Sequence, residues 1–430
     1  MAKVVAATTD EQLAESVRSA GPRGALARGL GRSYGDAAQN AGGVVLDLTA
    51  RQDIGEVDTT TGEVTMDAGA SLDAVMRRLV PQGWFVPVTP STRATTVGGA
   101  IGSDIFGKDH HLRGTFSQHV TSLDLLTGRG EIRTLTPEDP LFWATVAGVG
   151  LTGVILRATV RMLPVETAFC SVDTRRCGNF DQLVEAMADD DDHQFSVAWV
   201  DCLAKGDSLG RSVLTRGRFA TLDELPEKRR DEPLTFNPRA PISAPRGIPG
   251  LFNKYSASAF NEAWFRKAPT LREGEIQSFT AFFHPLDAVA DWSRIYGSGG
   301  MIQYQVVVPA DRVEALREVL AAFSEAGIAA SFAQVKRFGP ANPAPLSFPM
   351  EGWTLGLDIP ATMSGLGDLL DRLDEVVLEA GGRTQVAKDS RLTPASVRAM
   401  YPRLGEWQEL RAQADPDHVF QSDLGRRLRL

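Results

Sequence analysis

Arg28-Gly29-Leu30-Gly31-Arg32-Ser33-Tyr34-Gly35-Asp36 is the first of two glycine-rich stretches on which the reading of this chain turns. The second follows about sixty residues later: Thr89-Pro90-Ser91-Thr92-Arg93-Ala94-Thr95-Thr96-Val97-Gly98-Gly99-Ala100-Ile101-Gly102. Glycine leaves backbone N–H groups unobstructed, so a pyrophosphate can lie directly against the chain. Arg28 and Arg32 add positive charge for phosphate oxygens, and Ser33, Thr92 and Thr95 add hydroxyl donors. Two such loops close together in sequence predict a large dinucleotide held from two sides.

A Rossmann fingerprint is excluded. After Gly29 and Gly31 the third required glycine falls on Tyr34, with Gly35 one residue late. A formal G-x-G-x-x-G does occur at Gly148–Gly153, but its mechanism needs a helix to follow, with its N-terminus facing the phosphates. Val154-Ile155-Leu156-Arg157-Ala158-Thr159-Val160-Arg161-Met162 is β-branched and partly alternating, which predicts a strand.

The chain has 430 residues, 43% apolar and 23% charged, a globular composition long enough for two domains. A net charge of −9 argues against nucleic acid as a partner. No run approaches the roughly 18 apolar residues of a membrane-spanning helix. Met1-Ala2-Lys3-Val4-Val5 lacks a signal-peptide core, so the expected location is cytoplasmic. Cys170, Cys177 and Cys202 show no metal spacing and are expected to be reduced. No metal site is expected, and Asp189–Asp192 is read as a solvated turn.

Along the chain, a helix is expected over 8–20, capped by Thr8 or Thr9, and an amphipathic helix over Leu72–Leu79. Strands are expected at 44–48 and 63–68, and at 119–126 and 131–135 around the turn Gly128-Arg129-Gly130. Beyond Pro164, strands at 193–202, 211–216, 276–284 and 301–308, with helices at about 310–326 and 363–380, predict an antiparallel sheet covered by helices. Residues 221–252 carry six prolines and read as a long mobile loop, a candidate lid. In Met301-Ile302-Gln303-Tyr304-Gln305-Val306-Val307-Val308, alternation puts Gln303 and Gln305 on one face and Tyr304 on the other. Two amides in an apolar strand need partners, which sugar hydroxyls or solvent would supply.

Arg28–Asp36, Pro90–Lys108, Leu141–Gly153, Leu209–Gly217, Ile302–Gln305, Phe338–Pro349 and Ala387–Arg427 together resemble the vanillyl-alcohol-oxidase-type (PCMH-type) FAD oxidoreductases. Within these, the chain most resembles the decaprenylphosphoryl-β-D-ribose 2-oxidase family of arabinan-making, cell-wall-building actinobacteria. The resemblance implies an α+β fold in which residues 1–166 bind FAD and 167–382 form an antiparallel-sheet substrate domain covered by helices. Residues 383–430 would then return to the FAD domain. It also implies oxidation of the 2-hydroxyl of a lipid-phosphate-linked ribofuranose to a ketone. A separate NADH-dependent keto-reductase then yields the arabinose epimer, and the expected electron acceptor is a quinone. With a lipid substrate, membrane association and a periplasmic or cell-envelope location stay open.

By the same resemblance FAD is held by Arg28, Gly29, Leu30, Gly31, Arg32, Ser33 and Tyr34 of the first loop. Pro90, Ser91, Thr92, Thr95, Gly98, Gly99 and Ser103 of the second loop complete the set, with Ile155. Residues 21–50 contain no His or Cys, so FAD is expected to be non-covalent, with His110 and His111 the nearest alternative attachment points and alternative proton acceptors. Lys388 is the leading catalytic candidate, either as a cation that stabilises alkoxide character or as a base. The second role needs its pKa lowered by several units from about 10.4. Gln303, Gln305 and Tyr34 complete the catalytic set; Lys108, Lys336, Phe338 and Thr354 are the substrate contacts, with Lys108 or Lys336 meeting the lipid phosphate.

Three segments depart from the family pattern. Phe106 replaces a histidine, Trp353-Thr354-Leu355-Gly356 replaces Trp-Asn-Val-Cys, and Gln385 stands where a tyrosine is expected near Lys388. These changes cluster at the pocket and leave the FAD loops intact. They keep two other readings in play: an aldonolactone or sugar-alcohol oxidase using oxygen, and a non-catalytic flavin- or glycolipid-binding partner of a reductase.

Overall fold

The structure, a computed structural model, describes all residues except 7, 189–191, 239–241, 244–253, 291 and 331. The acidic run at 189–192 and the second half of the 221–252 segment therefore fall largely outside the described residues, while its first half holds a 3₁₀ turn, Leu222–Glu224, and a short helix, Glu227–Arg230. The first glycine loop leaves the strand Ala25–Arg28, which lies in a parallel sheet with Val44–Asp47 and Lys3–Ala6. The helix Asp10–Arg18 begins where Thr9 accepts from the Gln12 amide. It buries Leu13, Ala14 and Val17 against this sheet.

The strand after the false dinucleotide motif forms as its β-branched sequence requires. Val154–Arg161 pairs with Glu63–Asp67 on one side and Val120–Leu126 on the other, and Ile132–Leu135 closes the hairpin around Gly128–Gly130. The helix Leu72–Leu79, capped by Ser71, buries Leu72, Val75, Met76 and Leu79 in the same core.

From Phe169 onward the chain builds an eight-stranded, wholly antiparallel sheet. Its order is Leu271–Ser278, Phe169–Cys177, Ser212–Phe219, Phe195–Val200, Ala333–Phe338, Gly352–Pro360, Met301–Pro309 and Arg383–Thr384. Helices Phe180–Ala188, Glu314–Ala326 and Leu366–Glu379 cover one face with Leu183, Leu316, Val319, Phe323, Leu370 and Leu373. The expected strand at 276–284 is corrected. The strand is Leu271–Ser278, and the Ser278 hydroxyl accepts from Ala281 N–H and turns Phe279–Phe283 into a helix.

The last fifty residues run back across the N-terminal elements. Arg427 grips Asp36 at 2.8 Å and Asp389 at 2.8 Å, and the Trp407 indole donates to the Ala144 carbonyl. Arg411 donates to the carbonyls of Leu151 and Phe420. Arg383–Thr384 nevertheless still pairs with Val306 and Val307, so the returning segment begins as an edge strand of the large sheet.

Candidate active site

Both glycine loops and the uncovered face of the large sheet wall a single cavity of about 1070 Å³. Ordinary ligand pockets run to roughly 300–1,000 Å³, so there is room for a dinucleotide and the reacting end of a second molecule. All fifteen residues expected to hold the cofactor line it, from Arg28–Tyr34 through Pro90–Thr92, Thr95, Gly98, Gly99 and Ser103 to Ile155.

The loops lie against each other because Gly29 has no side chain: a Cβ there would stand 2.2 Å from the Thr96 hydroxyl. Gly31 has φ +63°, a left-handed conformation that side chains disfavour. Among the described residues, no amide of Gly29–Gly35 donates to a protein acceptor. Those amides and two arginines are the donor set a pyrophosphate requires, so the loop fits FAD. The second loop is braced from a distant segment. Asp287 accepts from the Thr92 hydroxyl at 2.7 Å and the Arg93 amide at 2.8 Å, and Asp73 pairs with the Arg93 guanidinium. Thr92 is on the wall, but its hydroxyl bonds to protein.

Register explains the sheet side of the cavity. Gln303 faces Asp358, Gln305 faces Gly356, and both Val307 and Lys336 face Thr354, while Gln334 also faces Gly356. Residues opposite one another share a face, so Gln303, Gln305, Gln334, Lys336, Thr354, Gly356 and Asp358 all project into the cavity. Tyr304 points the other way, as alternation predicts, and donates to Asp374 at 3.0 Å.

Lys388 enters from the 3₁₀ turn Val386–Lys388 and donates to Gln305 Oε1 at 2.6 Å. Gln305 Nε2 donates to the Thr354 hydroxyl at 3.1 Å, and that hydroxyl donates to the Val306 carbonyl. Beside this chain Gln303 Nε2 donates to Asp358 at 2.6 Å. Burial pushes the Lys388 pKa down and the nearby Lys336 cation adds to this, against the opposing pull of Asp358. Burial raises Asp358, with Gln303 and Lys388 opposing. Lys336 is lowered to about 8 by burial, with Asp109 opposing. Tyr34 is raised by burial and by Asp358, so its phenol stays protonated. Among the described residues, buried Gln303 Oε1 and Gln385 Oε1 have no hydrogen-bond partner, leaving acceptors for hydroxyl groups.

Two expected substrate contacts do not reach this wall. Lys108 is drawn behind it, donating to the Phe282 carbonyl with its ammonium 4.0 Å from that residue's ring centroid. Burial and Lys336 lower it to about 7. Phe338 is buried behind Phe106, 4.8 Å between ring centroids, and only Phe106 lines the cavity. His110 and His111 are corrected as well. They open a short helix, His110–Arg113, rather than an extended segment, and neither is on the wall. His110 Nδ1 accepts from the Gly339 amide, and burial lowers its pKa to about 3.

Asp358 is the residue that sequence reading missed. The signal was present: Thr354, Gly356 and Asp358 alternate as Gln303 and Gln305 do, and a carboxylate at the third position is as anomalous in an apolar strand as the amides. Asp287 and Trp292 carry no comparable local signal: Asp287 meets Thr92 from 195 residues away, and Trp292 lines the cavity from the same distant segment.

A cradle for a pyrophosphate joined to a face of amides, a carboxylate and a depressed lysine defines an FAD-dependent oxidoreductase acting on a hydroxylated substrate. Residues 1–136 match the FAD binding domain family model, and residues 313–428 match that of D-arabinono-1,4-lactone oxidase. The chain belongs to the decaprenylphosphoryl-β-D-ribose oxidase family. It is 46% identical over 439 residues to the decaprenylphosphoryl-beta-D-ribose oxidase of Mycolicibacterium smegmatis, spanning 100% of this chain and 95% of that one. A Streptomyces coelicolor protein is 37% identical over 371 residues, 84% of this chain and 100% of its own. The L-gulono-1,4-lactone dehydrogenase of Mycobacterium tuberculosis is 24% identical over 446 residues, 99% of this chain and 95% of its own.

Proposed function

We propose that this enzyme oxidises the C2 hydroxyl of a polyprenylphosphoryl-β-D-ribose to the 2-keto product, the first half of an epimerisation to arabinose. FAD, bound without a covalent link, supplies the hydride acceptor at flavin N5. Lys388 takes the hydroxyl proton; its lowered pKa and its 2.6 Å contact with Gln305 are the observation that carries this reading. Gln303 and Gln305 orient the sugar, whose hydroxyls donate to Gln303 Oε1 and Gln385 Oε1. Tyr34 and Thr354 flank it, and Lys336 meets the phosphate.

The domain division that suits this chemistry is 1–166 for FAD, 167–382 for substrate, and 383–430 returning to the first. An NADH-dependent keto-reductase would consume the ketone, and the electron acceptor that suits this enzyme is a quinone. Among the described residues no helix is long and apolar enough to cross a membrane.

An anaerobic visible spectrum with a short-chain polyprenylphosphoryl ribose tests the reading: the oxidised flavin bands bleach on addition. The D-arabinono-1,4-lactone oxidase match over residues 313–428 favours a second reading, oxidation of a free aldonolactone with oxygen as acceptor. Bleaching by L-gulono-1,4-lactone and not by the ribosyl lipid would select it.

A further inference from the structure

The cavity and an unusual surface helix lie at the same end of the large sheet. The pairs Arg175–Leu271, Val200–Ser212, Ala333–Leu357 and Met301–Pro360 define that end. The cavity reaches it at Gly300, Met301 and Phe332. The helix Lys254–Lys267 is fastened there by Asn261, whose Nδ2 donates to Asp201 at 2.6 Å, and by Glu262, paired with Arg211 at 2.6 Å. Its inner side is Ala257, Asn261 and Phe265. On its outer side Ala259, Phe260, Ala263 and Trp264 form one stripe with the one- and four-residue spacing of a helix face.

Phe260 is 57% and Trp264 46% exposed, and their rings stack 6.1 Å apart in contact with solvent rather than core. Lys254, Arg266 and Lys267 are exposed at the two ends, three cations against the single carboxylate Glu262, which pairs with Arg266, on a chain whose net charge is −9. The cavity rim repeats the apolar character. Leu30 and Val289 line it and are 39% and 41% exposed, and the neighbouring Ile242, paired with Val289, is 79% exposed.

We propose that this end of the molecule docks on an anionic lipid bilayer. Phe260 and Trp264 enter the headgroup region, and Lys254 and Lys267 meet lipid phosphates. Local positive charge on an acidic protein selects a negatively charged surface, and an aromatic stripe between cations matches a helix lying in the interface plane. The inference rests on the lipid-linked substrate proposed above. Docked this way, the cavity receives the sugar phosphate while the polyprenyl chain stays in the membrane.

The test is co-sedimentation of the full-length, FAD-loaded protein with vesicles and no substrate, so failure of the substrate reading does not affect it. Vesicles of phosphatidylcholine alone are compared with vesicles containing about 30% phosphatidylglycerol. The expected result is binding to the anionic vesicles only, weakened by salt, and at least about tenfold weaker in the F260S/W264S double variant. That variant keeps its flavin spectrum and its rate on a short-chain soluble substrate. Wild-type protein that stays in the supernatant, or a double variant that binds as well as wild type, overturns the proposal. So does a wild-type dimer in sedimentation equilibrium that the double variant dissolves, which assigns the stripe to a second copy of the chain.

Discussion

Lys388 Nζ lies 2.6 Å from Gln305 Oε1, and the same amide's nitrogen is held 3.1 Å from the Thr354 hydroxyl. The second bond fixes which end of the amide faces the lysine. An amide oxygen accepts from either protonation state of the amine, so the contact orients Lys388 without forcing it to remain charged. Burial and the Lys336 cation then lower its pKa, which an exposed lysine paired to a carboxylate would not show.

The rate of flavin reduction therefore rises with pH across the neutral range, as the Lys388 ammonium loses its proton, well below the ordinary lysine value of about 10.4. Lys388→Ala keeps bound FAD, loses about 10²- to 10⁴-fold in the reductive half-reaction, and loses that pH dependence. Stopped-flow reduction at several pH values checks both; an unchanged rate in the variant rejects the role.

Asp358 pulls the Lys388 pKa upward while burial and Lys336 pull it down. Asp358→Asn removes the charge but keeps an oxygen for Gln303. The variant's rate–pH profile should move to lower pH, because the lysine loses the carboxylate that favours its charged form. A profile displaced toward higher pH would contradict the arrangement. A merely structural role for Asp358 would lower the rate without moving the midpoint.

Two lysines offer themselves for a substrate phosphate, and the structure separates them. Lys336 lines the cavity, whereas Lys108 is bound to the Phe282 carbonyl and stands over its ring. Lys336→Met should raise KM for a phosphorylated substrate by about tenfold or more, since a charged hydrogen bond is lost; Lys108→Met should leave KM unchanged. Lys108 carries a stability signature instead. Its folded pKa, about 7, lies below the unfolded value near 10.4. Folding must discharge it between those values, so its destabilising contribution grows as pH falls through that window and is complete below about 7. Lys108→Met should gain most stability over wild type at pH 6 and least near pH 10 in urea titrations.

Sequence alone carried the cofactor half of the site further than the substrate half. Glycine loops are local: Gly29, Gly31 and the hydroxyls around them do their work within a few residues, so composition and spacing reveal them. Gln303 and Gln305 were legible because a strand has a period of two and polar residues break an apolar run. The position of Lys108 was not legible, since its neighbours Phe282 and Phe283 come from more than 170 residues away. The same holds for Asp287, and for the serine cap that ends the strand at Ser278. A resemblance placed Lys108 and Phe338 at the substrate, but packing set Phe106 in front of Phe338 and turned Lys108 toward the Phe282 carbonyl.

Gly29→Ala tests the contact between the two glycine loops. The added methyl would meet the Thr96 hydroxyl at 2.2 Å, below any tolerated separation, so one loop must shift. Thr96 also caps the helix Val97–Gly102 by accepting from the Gly99 amide, and the first loop yields more easily. FAD affinity should fall by at least about tenfold, read as flavin released on dilution, with secondary structure retained. A variant that holds FAD as tightly as wild type would show that the loops do not act together.

Asp104 ties the glycine-loop side of the cavity to the segment after Phe338. It is fully buried at φ +45° and accepts from Asn342 Nδ2 at 2.7 Å and from the Ser347 hydroxyl at 2.6 Å. Asp104→Ala leaves both donors without this acceptor and places alanine in a backbone region that Asp and Asn tolerate better. The expected cost is about 2–4 kcal/mol in urea unfolding. Asp104→Asn retains a carbonyl acceptor and the backbone preference, and burial already raises the Asp104 pKa toward the neutral form. The amide variant should therefore lose much less than the alanine variant at neutral pH. Equal losses in the two would mean that the carboxylate charge, rather than its hydrogen-bond geometry, holds this junction together.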